Sequence, residues 1–311
     1  MIKIFSHQDL DGYGVNVIAR LADKEVFSDI ENHSYETINE RVKKFIENKE
    51  YEAYEKIYIT DMSVSKENAK LINNLEEKDK FLLIDHHVPS SDWLKEYDWT
   101  IIVGEINNNK VSGTWLFYYE FLDFLKDKNC KESLEILLQQ GILDFVEAVR
   151  LYDTWDWTKV SKEILNKYNP EELNMLLLII NEVNFINLFT KVLEQGKYYI
   201  PKEEMKLIDE EKEIKNNYMK GILKEVSLKR YKDLNMGVVS ADKYISDLGK
   251  FIMENNVLEL DFVMIINKPK VSLRTNKPHI NVCNIAKEYG GGGHPQASGF
   301  TYNEELLKEF L

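Results

Sequence analysis

The chain has 311 residues, of which 44% are hydrophobic and 30% charged, and its 53 Asp and Glu outnumber 40 Lys and Arg to give a formal charge of −13. That length exceeds one ordinary domain of roughly 100–200 residues and predicts two, each with its own core. The acidic balance argues against long duplex nucleic acid, whose binding normally takes a basic face that neutralises many phosphates, but leaves short phosphate esters open.

In chain order, strand patterns at about 1–5, 57–60 and 81–84 alternate with helical patterns at about 12–22, 65–77 and 112–126, the βαβ rhythm of a doubly wound parallel sheet. Ser65 and Ser112 are placed to cap two of these helices through their hydroxyls. Helical material dominates 132–152 and 170–194, and Pro201 opens a Lys/Glu-rich stretch to about Lys224 that reads as a solvated helix joining two domains. Beyond it, strand patterns at 236–240, 260–267, 270–274 and 297–302 and helical ones at 246–255 and 281–289 predict a smaller α/β domain. The expected division is 1–195, a helical connector 196–230, and 231–311. The chain opens on a strand pattern rather than a leader, and no apolar run is expected to reach the roughly 18 residues of a membrane span, so the protein is expected in the cytoplasm with no membrane partner. Cys130 and Cys283 stand far apart without CxxC spacing, which excludes a disulfide scaffold or zinc ribbon.

Three predicted strands end in acids. Asp9 and Asp11 follow Ile2–Phe5, Asp61 follows Ile57–Thr60, and Asp85-His86-His87 follows Phe81–Ile84. In open parallel sheets the ligand crevice lies beyond the carboxyl ends of the strands, so these groups converge. With His7 and Asp153 they form an oxygen-rich set with a minority of imidazole, which favours manganese or magnesium over a structural zinc. Clustered carboxylates would repel strongly, and two divalent cations would nearly cancel that repulsion. Two such ions, roughly 3.5–4 Å apart, suit in-line phosphoryl displacement. In the smaller domain, Gly290-Gly291-Gly292-Gly293-His294 is entropically expensive and suits a backbone that meets a ligand closely, while Arg274 could supply a bidentate phosphate contact. His33 and His279 read as surface or satisfied histidines. Trp155 and Trp157 read first as packing residues and second as a stacking face for a base.

At these residues the chain resembles the DHH phosphoesterase superfamily. The motifs run in order as Ser6-His7-Gln8-Asp9-Leu10-Asp11-Gly12, Asp61, Asp85-His86-His87 and Leu151-Tyr152-Asp153-Thr154-Trp155. Val271-Ser272-Leu273-Arg274 and the run from Gly290 to Phe300 resemble the DHH-associated domain, within which the nanoribonuclease or oligoribonuclease-like and RecJ-related members are the nearest in kind. The resemblance implies an α/β fold with an N-terminal doubly wound catalytic domain, a smaller C-terminal α/β domain and an active site in the cleft between them. It implies two Mn²⁺, with Mg²⁺ or Co²⁺ as substitutes. His7, Asp9 and Asp61 would hold one ion, and Asp11, Asp61, His86 and Asp153 the other. Asp85 would orient the imidazoles, His87 would act at the scissile phosphate, and Arg274, Gly291, Gly292, Gly293 and His294 would bind substrate phosphate.

The expected activity is hydrolysis of short oligonucleotides, linear dinucleotides or cyclic dinucleotides to mononucleotides. A polyphosphate hydrolase and a non-catalytic nucleotide sensor are the alternatives. A homodimer through the first domain is compatible with the sequence.

Overall fold

The structure, a computed structural model, describes residues 1–255 and 258–303. The chain divides into two compact units, Met1–Ile208 and Asp209–Leu311.

The first unit opens with β1 (Ile2–His7), α1 (Leu10–Arg20), β2 (Ser28–His33), α2 (Ile38–Glu47), β3 (Lys56–Thr60), α3 (Lys66–Asn73), β4 (Phe81–Asp85), the short α4 (Val88–Ser91) and β5 (Thr100–Ile102). The five strands form one all-parallel sheet in the order β2-β1-β3-β4-β5. This is the expected doubly wound architecture, and the direction in which successive strands are added reverses between β1 and β3, the switch point where such sheets open a ligand crevice. Alternation along β1 sends Ile2 and Ile4 into one core layer and Phe5 into the other. The first layer is closed by α1, α5 (Gly113–Asp127), α7 (Gln140–Asp153) and α9 (Pro170–Leu193), and the second by α2 and α3. A two-stranded ribbon, β6 (Glu105–Ile106) with β7 (Asn109–Lys110), precedes α5, and α6 (Lys131–Leu137) and α8 (Lys162–Tyr168) complete the helices. Both expected caps are made: Ser65 accepts from the Asn68 amide at 3.2 Å and Ser112 from the Trp115 amide at 3.3 Å.

Strands β2 and β5 and helix α2 are absent from the sequence reading. The β2 sequence, Ser-Asp-Ile-Glu-Asn-His, has no apolar alternation because the strand is an edge and its acids meet partners from elsewhere. Lys3, 1% exposed, reaches Glu31 at 2.6 Å and Asp29 at 2.9 Å. Arg41 bridges Glu31 and Glu50, and Tyr54 donates to Asp29. Burial opposes it, but the bonds from Arg41, Lys3 and His33 hold the Glu31 carboxyl down at about 2.

The expectation of no membrane-length apolar run needs correction. Lys162–Leu193, which covers α8 and α9, is long and apolar enough to cross a membrane by length and composition. Its residues Leu173, Leu176, Phe185 and Phe189 are fully buried in the core. The run is also interrupted: Asn181 leaves helical geometry (φ 65°, ψ 169°), and its side chain accepts the Asn184 amide at 3.1 Å to restart the helix.

The long helix α10 (Lys202–Leu223) spans the boundary between the units. The second unit contains β8 (Ser227–Tyr231), β9 (Leu234–Ser240), α11 (Ile245–Asn255), β10 (Phe262–Asn267), β11 (Lys270–Arg274), α12 (Val282–Glu288), β12 (Gly292–His294) and β13 (Ala297–Thr301). Its strands form a mixed sheet in the order β12-β13-β11-β10-β9-β8, with one core layer under α12 and another under α11. The glycine run is irregular only at its start. Gly292–His294 pair antiparallel with Ala297–Ser298–Gly299 and form the sheet edge.

Lys3→Ala should lower unfolding stability by about 2 kcal/mol, because it leaves a void at a buried position and removes one of the cations that Asp29 and Glu31 share, although Tyr54 and Arg41 still hold them. Urea denaturation of the variant beside Lys3→Met, which keeps the volume and removes the charge, separates the two contributions.

Candidate metal centre

Register brings the site together. Phe5 lies beside Ile59 and Thr60 beside Ile84, so the next residues of β1, β3 and β4 end in one row. Ser6 and Thr60 tie the first two strands with a 2.8 Å hydroxyl bond directly beneath that row. Beyond it stand His7, Asp61 and Asp85. Asp61 takes a left-handed backbone (φ 59°), sparsely populated for a residue with a side chain, as its amide bonds Ile84 O at 2.9 Å.

Two groups of donor atoms, each within 4.8 Å of one another, occupy this edge: His7, Asp9 and Asp61 in one, and Asp11, His86 and Asp153 in the other. Asp61 also groups with His86 and His87. His7 Nδ1 lies 2.6 Å from Asp9 and 3.8 Å from Asp61. His86 Nε2 faces three carboxylates, Asp61 at 3.2 Å, Asp153 at 3.4 Å and Asp11 at 3.7 Å. The two sets are therefore adjacent, with Asp61 within reach of both.

Backbone geometry places each acid. Asp9 caps α1, accepting the Gly12 amide at 2.9 Å. Asp11 is 1% exposed and receives the first amides of α5, Gly113 at 2.5 Å and Thr114 at 2.8 Å, so a helix N-terminus fixes its orientation. This contact needs glycine. A Cβ on Gly113 would stand 2.6 Å from Asp61 Cβ and 3.0 Å from Asp11 Oδ2, and one on Gly12 would meet His7 O at 2.1 Å. Asp153 is the last residue of α7, and Arg150 one turn earlier binds Glu147, Asp156 and Lys110 O.

Charge is only partly balanced. Burial, then the neighbouring Asp11, Asp9, Asp153 and Asp85, pushes Asp61 well above the usual carboxylate range. Burial, then Asp11 and Asp9, raises Asp153 to about 8. Asp9 stays low because bonds from His7 and Gly12 outweigh its burial. Oδ2 of Asp61 and Oδ2 of Asp153 are buried and accept no hydrogen bond. Buried oxygens of this kind ordinarily find partners. An oxygen-rich pocket with unpartnered carboxylate oxygens and two imidazoles fits divalent cations of the manganese and magnesium type.

Asp85 and His87 form a hydrogen-bonded pair beside these sets. Asp85, fully buried, accepts from His87 Nδ1 at 2.8 Å, from the His87 amide at 3.1 Å and from the Ser91 hydroxyl. Burial opposes it, but these bonds keep Asp85 below the usual range, and the Asp85 bond, against burial, raises His87. Nδ1 of His87 is thereby engaged, which leaves Nε2 as the ring nitrogen available to a ligand. Tyr35, unmarked in the sequence reading, packs its ring 5.0 Å from that of His7 and 6.5 Å from that of His87. Nothing in the local sequence marks Ser91, Arg150 or Tyr35 for these contacts.

In the second unit, Arg274 and Gly290–Gly292 line a groove of about 460 Å³ together with Lys270, Ser272 and Ser298. Arg274 is half-buried, which lowers its pKa, and it donates to Leu273 O at 2.9 Å. Gly291 is required by packing, since a Cβ there would meet Gly299 O at 2.1 Å, and Gly293 by its φ of 135°. Gly292 is required by neither and leaves bare backbone in the groove. The His294 side chain is exposed.

A sequence profile of the DHHA1 domain matches residues 252–311. Oligoribonuclease NrnB of Bacillus subtilis (strain 168) is 30% identical over 319 residues, an alignment that covers all of this chain and 75% of NrnB. The crystal structure of RecJ from Thermus thermophilus in complex with Mn²⁺ superposes with a TM-score of 0.55 at 13% identity, over 99% of this chain and 50% of that one. Exonuclease RecJ bound to manganese gives 0.56 at 14% identity, over 99% and 87%. At these identities the RecJ structures establish a shared fold.

Two outcomes follow from the electrostatics and packing. Without metal, Asp61 and Asp153 bind protons more tightly folded than unfolded, so their contribution is greatest below pH 4 and is lost as pH rises through about 8 for Asp153. Cation binding takes the deprotonated acids, so the melting-temperature gain on adding manganese should be small at pH 5 and grow to pH 8. A gain flat in pH would exclude these carboxylates as its source. Gly113→Ala should remain folded yet bind manganese about 10–100-fold more weakly in titration calorimetry, since its Cβ displaces Asp61 and Asp11.

Proposed function

The chain belongs to the DHH superfamily of phosphoesterases, and on that premise we propose that it is a manganese-dependent phosphodiesterase that cleaves short oligonucleotides to mononucleotides. The observation that carries this reading is the pair of adjacent ligand sets at the carboxyl edge of the sheet, His7, Asp9 and Asp61 beside Asp11, His86 and Asp153, with Asp61 reaching both. These residues would hold two divalent ions. Such ions lower the pKa of a bound water and neutralise charge developing on a phosphoryl group.

The rest is the work of the chain's own side chains. Ser91 fixes Asp85, Asp85 fixes the Nδ1 proton of His87, and the raised pKa of His87 favours an imidazolium whose Nε2–H can be given to the leaving oxygen. The groove of the second unit, with Arg274, Lys270, Gly291 and the uncovered backbone of Gly292, suits a substrate phosphate, and Gly293 and His294, which continue the same edge strand outside the groove lining, would approach it from beside. A net charge of −13 restricts the substrate to short chains, because a long one would add repulsion along its length. Oligonucleotide cleavage is the activity named for the B. subtilis relative, which supports that substrate class here. Two free, buried cysteines suit the reducing cytoplasm.

A manganese-supplemented assay that compares a 5′-phosphorylated RNA dinucleotide, a longer RNA, a cyclic dinucleotide and polyphosphate tests this reading. The dinucleotide should be turned over fastest, and Asp85→Ala should reduce its kcat by about 10²–10⁴-fold. Turnover confined to polyphosphate would overturn the nucleotide assignment. Asp61→Ala should abolish manganese binding, whereas His294→Ala should leave it intact and raise KM.

A further inference from the structure

The turn that follows α7 has features that neither the core nor the carboxylate cluster requires. Trp155 adopts φ 60°, a region bulky residues rarely enter, and 65% of its surface is open. A turn that needed only this backbone would be met by Asn or Gly without strain, and a tryptophan kept for packing would be buried. Trp157 stacks against it, ring centroids 5.9 Å apart and planes 30° from parallel, with its own Nε1–H buried and unpartnered. The pair is held stiffly. Thr154 Oγ1 donates to Arg150 O at 2.8 Å, Thr158 Oγ1 donates to Trp155 O at 2.8 Å, and Asp156 between the two indoles accepts from Arg150 at 3.2 Å and Lys159 at 2.9 Å. Strained, exposed residues on an over-determined turn mark positions where the surroundings enforce a geometry that stability alone does not select.

The location gives the ligand. Trp155 lies two residues beyond Asp153, a step of at most about 7 Å along the chain, comparable with the reach of a nucleoside from its phosphate to its base. We propose that the open face of Trp155, backed by Trp157, is the base-stacking platform of the site and takes the nucleobase next to the phosphodiester at the carboxylate–histidine cluster. This rests on the phosphodiesterase reading above and adds to it the source of base recognition. Stacking engages the π-face common to all four bases, so it gives dependence on a base without dependence on which base.

The test compares wild type, Trp155→Ala and Trp155→Phe, all with manganese, on a 5′-phosphorylated RNA dinucleotide and on its doubly abasic analogue. Wild type should prefer the base-bearing substrate. Trp155→Ala should lose about tenfold of that preference, chiefly in KM, and Trp155→Phe should retain most of it. An unchanged manganese-induced rise in melting temperature confirms that the variants are folded with Asp153 in place. An equal loss on both substrates, or an unaltered preference, would overturn the platform while leaving the phosphodiesterase reading intact. Absence of wild-type turnover on either substrate would overturn both.

Discussion

Mutual repulsion among carboxylates is the constraint around which the first unit is arranged. Asp11, Asp61 and Asp85 are at most 1% exposed, and Asp9 and Asp153 stand beside them at the same sheet edge. Burial penalises each charge and proximity penalises it again. The fold answers differently at each position. Asp11 is given two helix amides, Asp9 an amide and an imidazole, and Asp85 a hydroxyl, an amide and an imidazole. Asp61 and Asp153 each keep a buried oxygen with no hydrogen bond. The unbalanced remainder is thus concentrated on two residues, which makes them the most responsive to a cation.

Helix placement follows from the same constraint. The N-termini of α1 and α5 both point at the cluster, so their amides offset negative charge without adding side chains to the pocket. Close approach of this kind depends on glycine, which is why Gly12 and Gly113 have backbone or carboxylate atoms where a Cβ would go. Asp61 contributes a further strained element, its left-handed φ at the end of β3.

Much of this was legible in the sequence because short apolar runs mark buried strands and each run is followed at once by its acid. The β1, β3 and β4 patterns and both serine caps are read correctly for that reason. What escaped depends on distant partners. Strand β2 shows no strand pattern until Lys3 and Arg41 are known to neutralise Asp29 and Glu31, and Ser91, Arg150 and Tyr35 carry no local pattern at all. The helical stretch 132–152 breaks in two, α6 and α7, at Leu138–Gln139, which the amphipathic pattern alone does not reveal. The glycine run shows a further gap: composition signals a loop, but pairing with Ala297–Gly299 turns half of it into a sheet edge.

The charged border of the first sheet bears on how the molecule meets its own kind. Strand β2 is the outermost strand on its side, and an exposed edge is where another chain can add a strand and start a continuous sheet. Here the edge carries Asp29, Glu31 and His33, engaged with Lys3, Tyr54 and Arg41 in one network of short contacts. A strand arriving there would face fixed charges instead of an apolar ribbon. Fixed charges of this kind disfavour pairing with another chain's strand, so the ion pairs that steady β2 also make its edge a poor template for sheet growth.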